Sequence, residues 1–263
     1  MKPDYKNWVP KGMIVGLFVG AVICLVLFFL FGLRGLLLPN IIKIILKYVF
    51  IFGTLLFAAM GIWSFLLSRQ FSYKGKRKLS KYIIEGIADY IEIPNGGKGL
   101  DVGCGSGALA IACAKRNPEA LMIGIDRWGK EYASFSKVLC ESNAEAEGTG
   151  NVIFQQGNAL DLKFDDESFD AVCSNYVYHN IPKRDLQVVL LETLRVLKKN
   201  GVFAIHDNFS KPKYGNMEDF MKKLKKMGYE KVELIKTTNG MFMSESEARW
   251  MGLAGSMLLI GRK

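Results

Sequence analysis

Histidine is scarce in this chain, with only His179 and His206 among 263 residues. The five cysteines, Cys24, Cys104, Cys113, Cys140 and Cys173, include no C-x-x-C pair. Together these shortages leave no zinc-ligand spacing, so no resident metal is expected. The cysteines read as small buried residues of a reducing compartment. Acid is almost missing from the first third, where residues 1–81 hold Asp4 alone against 12 lysines and arginines. No internal repeat is present, which excludes repeat architectures.

The formal net charge of +10 is therefore confined to one part of the chain. Residues 82–263 hold 23 basic and 24 acidic side chains, a net of −1. An enzyme of nucleic acid usually keeps a basic face on its folded domain, and no net excess is available here to build one. Lys222, Lys223, Lys225 and Lys226 read as a solvated helix face. Nucleic acid is not an expected partner.

Half of all residues are hydrophobic, and two runs lack charge entirely: 22 residues from Gly12 to Leu33 and 21 from Tyr48 to Ser68. Each is long enough to cross a hydrocarbon core of roughly 30 Å as a helix. A cleaved signal would have a shorter apolar core and no second span. A soluble helix of this length would carry a polar face. The spans predict a transmembrane hairpin over residues 1–69, followed by a second domain over 70–263. Between them, Lys43 and Lys47 lie four apart, which suggests a short interfacial helix with both lysines reaching outward. Nine basic residues flank the pair of spans, from Lys2, Lys6 and Lys11 to Arg69, Lys74, Lys76, Arg77, Lys78 and Lys81. Only Arg34, Lys43 and Lys47 lie between the spans. That asymmetry places both flanks, and the second domain, on the cytoplasmic side. The basic run from Lys74 to Lys81 should attract anionic head groups. Neither span carries an acid that would mark a transport path.

Beyond Arg77, apolar strands alternate with amphipathic helices. A helix is expected over 77–91, closed by Pro94-Asn95-Gly96-Gly97. Strands are expected at 100–102, 121–126, 152–155, 169–174, 202–207, 231–235 and 257–261. Helices are expected at 108–115, 130–144, 186–197 and 218–227. This order implies an α/β fold with a mainly parallel sheet covered on both faces. Ligands of such sheets bind beyond the carboxyl ends of the strands, where the strand order reverses.

The stretch Asp101-Val102-Gly103-Cys104-Gly105-Ser106-Gly107 runs from a strand end into a helix start. Its glycines permit a tight turn and bring bare backbone against a ligand. Gly103, Gly105 and Ala108 also satisfy the dinucleotide pattern G-x-G-x-x-A. Asp101, however, would repel a pyrophosphate and would welcome a ligand carrying an amino group and a sulfonium. Gly107 adds a third alternate glycine.

With these residues in view, the second domain resembles the class I (Rossmann-like) S-adenosylmethionine-dependent methyltransferases over roughly residues 77–263. Asp101–Gly107 matches the first motif, D/E-x-G-x-G-x-G. Gly124-Ile125-Asp126 matches the acid that ends the second strand and, in the family, holds the ribose hydroxyls. Arg127 and Trp128 follow where a flat side chain packs on adenine. Gln156-Gly157-Asn158-Ala159 resembles the third motif, with Asn158 in place of the commoner Asp at the adenine amino group. The fourth strand ends at Cys173-Ser174-Asn175, beside the transferred methyl. Leu191–Gly201 resembles the helix and turn before the fifth strand. The resemblance implies a doubly wound, mainly parallel seven-stranded sheet whose last two strands form an antiparallel edge. It implies S-adenosylmethionine as cofactor, held by Asp101, Gly103, Gly105, Gly107, Asp126, Arg127, Asn158, Ala159 and Ser174.

The sulfonium already activates the methyl group, so the protein must align the nucleophile and exclude water. A base is needed only where the nucleophile starts protonated. His179, with Tyr176 beside it, is the candidate. His206 and Asp207 end the fifth strand, and Asp207 either binds substrate or caps a loop. No N-P-P-Y motif follows the fourth strand, where Ser174-Asn175-Tyr176-Val177 stands instead, which argues against adenine or glutamine methylation. Residues 237–255 are long for a hairpin link. Within them, Ser244–Glu247 reads as a capping box, and Met241, Phe242, Met243, Trp250 and Met251 make an apolar flap. The expected acceptor is a small-molecule or lipid-like compound. The rival readings are a nicotinamide-dependent oxidoreductase using the same loop, and a non-catalytic tethered S-adenosylmethionine-binding protein.

Overall fold

The computed structural model describes residues 2–34, 38–129, 134–182 and 184–263. They fall into two compact units. One is Asn7–Ser80; the other joins the residues up to Lys6 with Lys81–Lys263. The expected division at residue 69 falls inside a helix, because the second long helix continues to Phe71. The linker after it is tied back to that helix by the Ser80 hydroxyl, which donates to the Phe71 carbonyl at 2.5 Å.

The first unit is a pair of helices. α1 spans Lys11–Leu27 and runs on as a π-helical turn, Phe28–Leu33. α2 spans Asn40–Phe71. The two pack by exchanging aromatic rings for glycines: a Cβ on Gly20 would lie 3.4 Å from the Phe57 ring, and one on Gly61 would lie 3.1 Å from the Phe18 ring. Both helices are long and apolar enough to cross a membrane. Their outward side chains, among them Val15, Val22, Phe52, Leu55 and Ile62, are exposed. The short interfacial helix expected around Lys43 and Lys47 is not separate. It forms the first two turns of α2, since nothing between Asn40 and Tyr48 interrupts helical hydrogen bonding.

The second unit is a seven-stranded sheet. Its strands are β1 (Lys98–Val102), β2 (Leu121–Asp126), β3 (Val152–Gln156), β4 (Phe169–Asn175), β5 (Leu197–Asn208), β6 (Glu230–Lys236) and β7 (Ser256–Arg262). They lie in the order β3-β2-β1-β4-β5-β7-β6. The first five pair in parallel, while β7 runs antiparallel to both β5 and β6. The helices are α3 (Leu79–Ala88), α4 (Ala108–Arg116), α5 (Lys137–Ala146), α6 (Leu186–Arg195), α7 (Lys211–Tyr214), α8 (Met217–Lys226) and α9 (Glu245–Met251). The central strands are buried on both faces. Leu100, Val102, Val172, Phe203 and Ile205 share one apolar cluster with α6 and α8 side chains such as Leu190 and Phe220. Order reverses between β1 and β4, so the loops after these two strands meet at the switch point.

α5 begins later than its periodicity suggests. Of the expected segment 130–144, Lys130–Ala133 lie outside the described residues, and helix starts only at Lys137. Ser136 is extended and its hydroxyl accepts from the Leu139 amide at 3.2 Å, an N-cap that fixes the start. α9 opens as expected: Glu247 N donates to Ser244 Oγ at 3.2 Å and Ser244 N donates to Glu247 Oε2 at 2.8 Å.

Candidate functional site

β1 delivers Asp101 into the core, 1% exposed. Asp101 Oδ2 accepts the Ala110 amide of α4 at 3.0 Å. Oδ1 has no N–H or O–H partner among the described residues; the weak Cys173 thiol lies beside it. Burial pushes this carboxyl up to about 7, because an ion removed from water without a counter-charge is disfavoured.

The loop after β1 turns through positive φ at Gly103, Gly105 and Gly107. A Cβ at Gly103 would lie 2.3 Å from Val177 Cγ2, so the loop after β4 rests directly on this glycine. At Gly105 the nearest side-chain atoms among the described residues would be 3.8 Å away, on Phe135.

Asp126, at the end of β2, braces the same loop. Its Oδ2 accepts the Gly105 amide at 2.9 Å and its Oδ1 the Trp128 amide at 2.8 Å. Each carboxylate oxygen keeps a second lone pair, so the half-buried group can still take ribose hydroxyls. Trp128 folds back and donates its indole N–H to the Gly105 carbonyl at 3.0 Å. Arg127 is exposed, and its carbonyl receives Gln156 Nε2 at 3.4 Å. Of the pair Arg127 and Trp128 expected beside the adenine, it is therefore Trp128 that lies on the glycine turn.

Asn158 is exposed, and its Oδ1 accepts the Leu160 amide at 3.1 Å. Ala159 packs on the core. Ser174 departs from expectation. It is fully buried and its hydroxyl donates to the Val102 carbonyl at 2.8 Å. It ties the ends of β1 and β4 together instead of facing a ligand, because its place in the strand turns it inward at the switch point.

The turn after β4 holds a close histidine–carboxylate pair. His179 Nδ1 lies 2.5 Å from Asp207 Oδ1. Asp207 is fully buried, and its Oδ2 accepts the amides of Tyr178 at 2.9 Å and His179 at 3.3 Å. The Tyr178 hydroxyl is anchored on Thr193 Oγ1 at 2.7 Å. The imidazole is thus fixed through one nitrogen while its side chain stays 23% exposed. Sequence left Asp207 between two roles; here it orients the histidine.

Tyr176 departs from its expected catalytic role. Its hydroxyl is bonded to Ser256 Oγ at 2.5 Å, and burial holds its proton far above the ordinary phenol range. It cannot accept a proton near neutrality, and it serves as a wall 5.9 Å, ring to ring, from His179. His206 is equally unfit. It is buried, bonded to Asn175 Oδ1 and Thr237 Oγ1, and its basicity is pushed down to about 3 by burial.

A buried carboxyl with one oxygen met by no stronger donor than a thiol, on the strand leading into the glycine turn, with an acid and an indole bonded to that turn, fits a cationic sulfonium cofactor better than a pyrophosphate. Asp101, Gly103, Gly105, Gly107, Asp126 and Trp128 are the residues that would hold it.

Comparisons with known proteins agree with this geometry. Residues 93–253 match a family described as Methyltransferase domain. The chain is 33% identical over 122 residues to the Probable methyltransferase ltbC of Aspergillus luteorubrus, covering 46% of this chain and 43% of that protein. It is 34% identical over 119 residues to the demethylmenaquinone methyltransferase of Geobacillus kaustophilus (strain HTA426), covering 45% and 48%. The matches thus span less than half the length of these curated relatives. A solved structure of geranyl diphosphate methyltransferase with GPP and sinefungin superposes with a TM-score of 0.55 over 72% of this chain and 79% of that one. At 14% identity the likeness shows the fold.

Proposed function

The chain belongs to the methyltransferase-domain family, with the class I fold and S-adenosylmethionine as its cofactor, and from that premise we propose that it is a membrane-anchored enzyme methylating a small-molecule or lipid-like acceptor. The observation that carries the catalytic part is the His179–Asp207 pair, whose histidine stands two residues beyond Val177, the side chain of which packs on Gly103 of the glycine turn.

The cofactor supplies a methyl group already activated by a positive sulfur. The chain's own residues do the rest. Asp101 and the glycine turn bind and orient, Trp128 covers the turn, and Tyr176 with Phe242 restricts water. His179, oriented through Nδ1 by Asp207, uses its other nitrogen to take a proton from an acceptor hydroxyl or acidic carbon. Buried Asp207 stabilises the imidazolium so formed.

The anchor reading is supported by the uncovered apolar surface of α1 and α2 and by nine basic residues on their outer flanks against three between them. The lipid-like acceptor rests on that anchor and on Trp250 of the flap, 38% exposed, while Phe242, Met243 and Met251 pack into the fold.

Purified full-length protein in detergent, given methyl-labelled S-adenosylmethionine and fractionated cell extract, tests the proposal. Label is expected in the organic-soluble fraction and to be lost with His179→Gln. Label confined to water-soluble compounds would overturn the acceptor class, and undiminished transfer by His179→Gln would overturn the base.

A further inference from the structure

We infer that the segment Pro3–Lys6 is a working strap of the cofactor site, and that Asn143 is the positioning residue coupling it to the glycine turn. The inference rests on the methyltransferase reading above.

Pro3–Lys6 precedes the first long helix in sequence, yet it folds with the catalytic unit. Asn143 sits on α5, 2% exposed. Its Oδ1 accepts the Asp4 amide at 2.7 Å and its Nδ2 donates to the Asp4 carbonyl at 3.2 Å. The side-chain amide thereby pairs with the strap as another strand would. The same Nδ2 donates to the Ser106 carbonyl at 2.9 Å. Ser106 closes the circuit, its hydroxyl donating to the Tyr5 carbonyl at 2.9 Å. Ser106 belongs to the Gly103–Gly107 turn itself. Tyr5 and Ser106 are both buried, and Lys6, at positive φ, folds its amide and ammonium back onto the Asp4 carboxylate at 3.2 and 2.6 Å.

A turn with three glycines has much conformational freedom to lose. Bonds that order it before the ligand arrives remove that loss from the binding step. The bonds that join the strap to Asn143 and Ser106 use its backbone atoms, so this link depends on the presence of the segment and on Asn143. A fragment beginning at Lys81 would lack the strap and bind cofactor poorly even when folded.

Calorimetric titration of the full-length protein in detergent with S-adenosylhomocysteine decides the matter, using Asn143→Ala, a deletion of Lys2–Tyr5, and both together. Each single change is expected to weaken binding about tenfold, the effect of losing one or two buried hydrogen bonds. The combined loss should fall well short of the product of the two, because the Asn143–Asp4 pair is common to both changes while the Asn143–Ser106 and Ser106–Tyr5 bonds are each cut by one of them. Hydrogen exchange of the Gly105–Gly107 amides, measured without cofactor, should quicken in both. Unchanged affinity in both variants, or losses that multiply when combined, would overturn the inference. Should Asn143→Ala fail to fold, Asn143→Asp keeps the acceptor for the Asp4 amide, loses both donated bonds, and replaces it in the same comparison. Wild-type protein that binds no S-adenosylhomocysteine would sink the methyltransferase reading instead, and the exchange measurement would then judge the strap alone.

Discussion

His179 Nδ1 and Asp207 Oδ1 stand 2.5 Å apart although 28 positions separate them in the chain. Their meeting requires that β4 and β5 be neighbours in parallel register, with Asn175 opposite His206. His179→Gln is expected to lower turnover by roughly 10²–10⁴ while leaving S-adenosylhomocysteine affinity within a few-fold. Asp207→Asn, which keeps an acceptor for the Tyr178 amide, should lower turnover and preserve folding. Asp207→Ala should also lower the melting temperature, because three backbone amides lose their acceptor. Initial rates beside a thermal melt separate these outcomes.

Asp101 gives a pH dependence with a definite sign. Its folded value, near 7, lies above that of an unfolded aspartate. The native state therefore holds the proton more tightly, and this contribution to stability is present at low pH and lost as pH rises from about 4 to about 7. His206, pushed down to about 3, works oppositely, losing stability as pH falls below about 6.5. The difference between wild type and Asp101→Asn isolates the first effect: the variant should gain relative melting temperature as pH rises from 5 to 7.5.

The same carboxyl governs cofactor affinity. A cationic ligand favours the ionised form, so binding should tighten as pH rises towards 7 and level off above it, with protons released on binding. Titrations in buffers of different ionisation enthalpy measure that release. A flat affinity profile in wild type, or an unchanged one in Asp101→Asn, would contradict the role given to Asp101.

Gly103 tests the contact between the two loops. Gly103→Ala adds a Cβ at φ +77 and 2.3 Å from Val177, combining about 1–2 kcal/mol of backbone strain with about 1–3 kcal/mol of overpacking. Val177→Ala in the same chain should restore the packing part and leave the strain. Gly105→Ala, whose nearest neighbour would be 3.8 Å away, should cost stability less. It should still weaken cofactor binding, since the proposed cofactor would lie against the bare backbone of this turn.

Ser244→Ala removes one bond of the box that starts α9. A loss of about 1 kcal/mol is expected, visible as a lower melting temperature and as faster hydrogen exchange within residues 244–251.

Much of the domain was legible because its signals are local. The alternation of apolar strands with amphipathic helices, the Asp101–Gly107 turn, the acid ending β2 and the Ser244–Glu247 box each lie within a few residues. Each follows from side-chain periodicity or backbone freedom alone. Apolar periodicity alone does not locate the start of α5, because it reads through Ser134–Ser136, where the Ser136 hydroxyl caps the helix. The direction of Ser174 is not legible in the sequence, because a strand tip can point either way until its neighbours are known.

By itself, then, the sequence determined the α/β class, the two apolar helices and the glycine turn, since a few consecutive side chains suffice to set each. Only tertiary structure decided that Asp207 would hold His179, that Trp128 would cover the turn, and that Asn143 would reach Asp4 across 139 positions. Those partners are chosen by strand order and by which loops share the switch point, and no window of neighbouring residues contains that information.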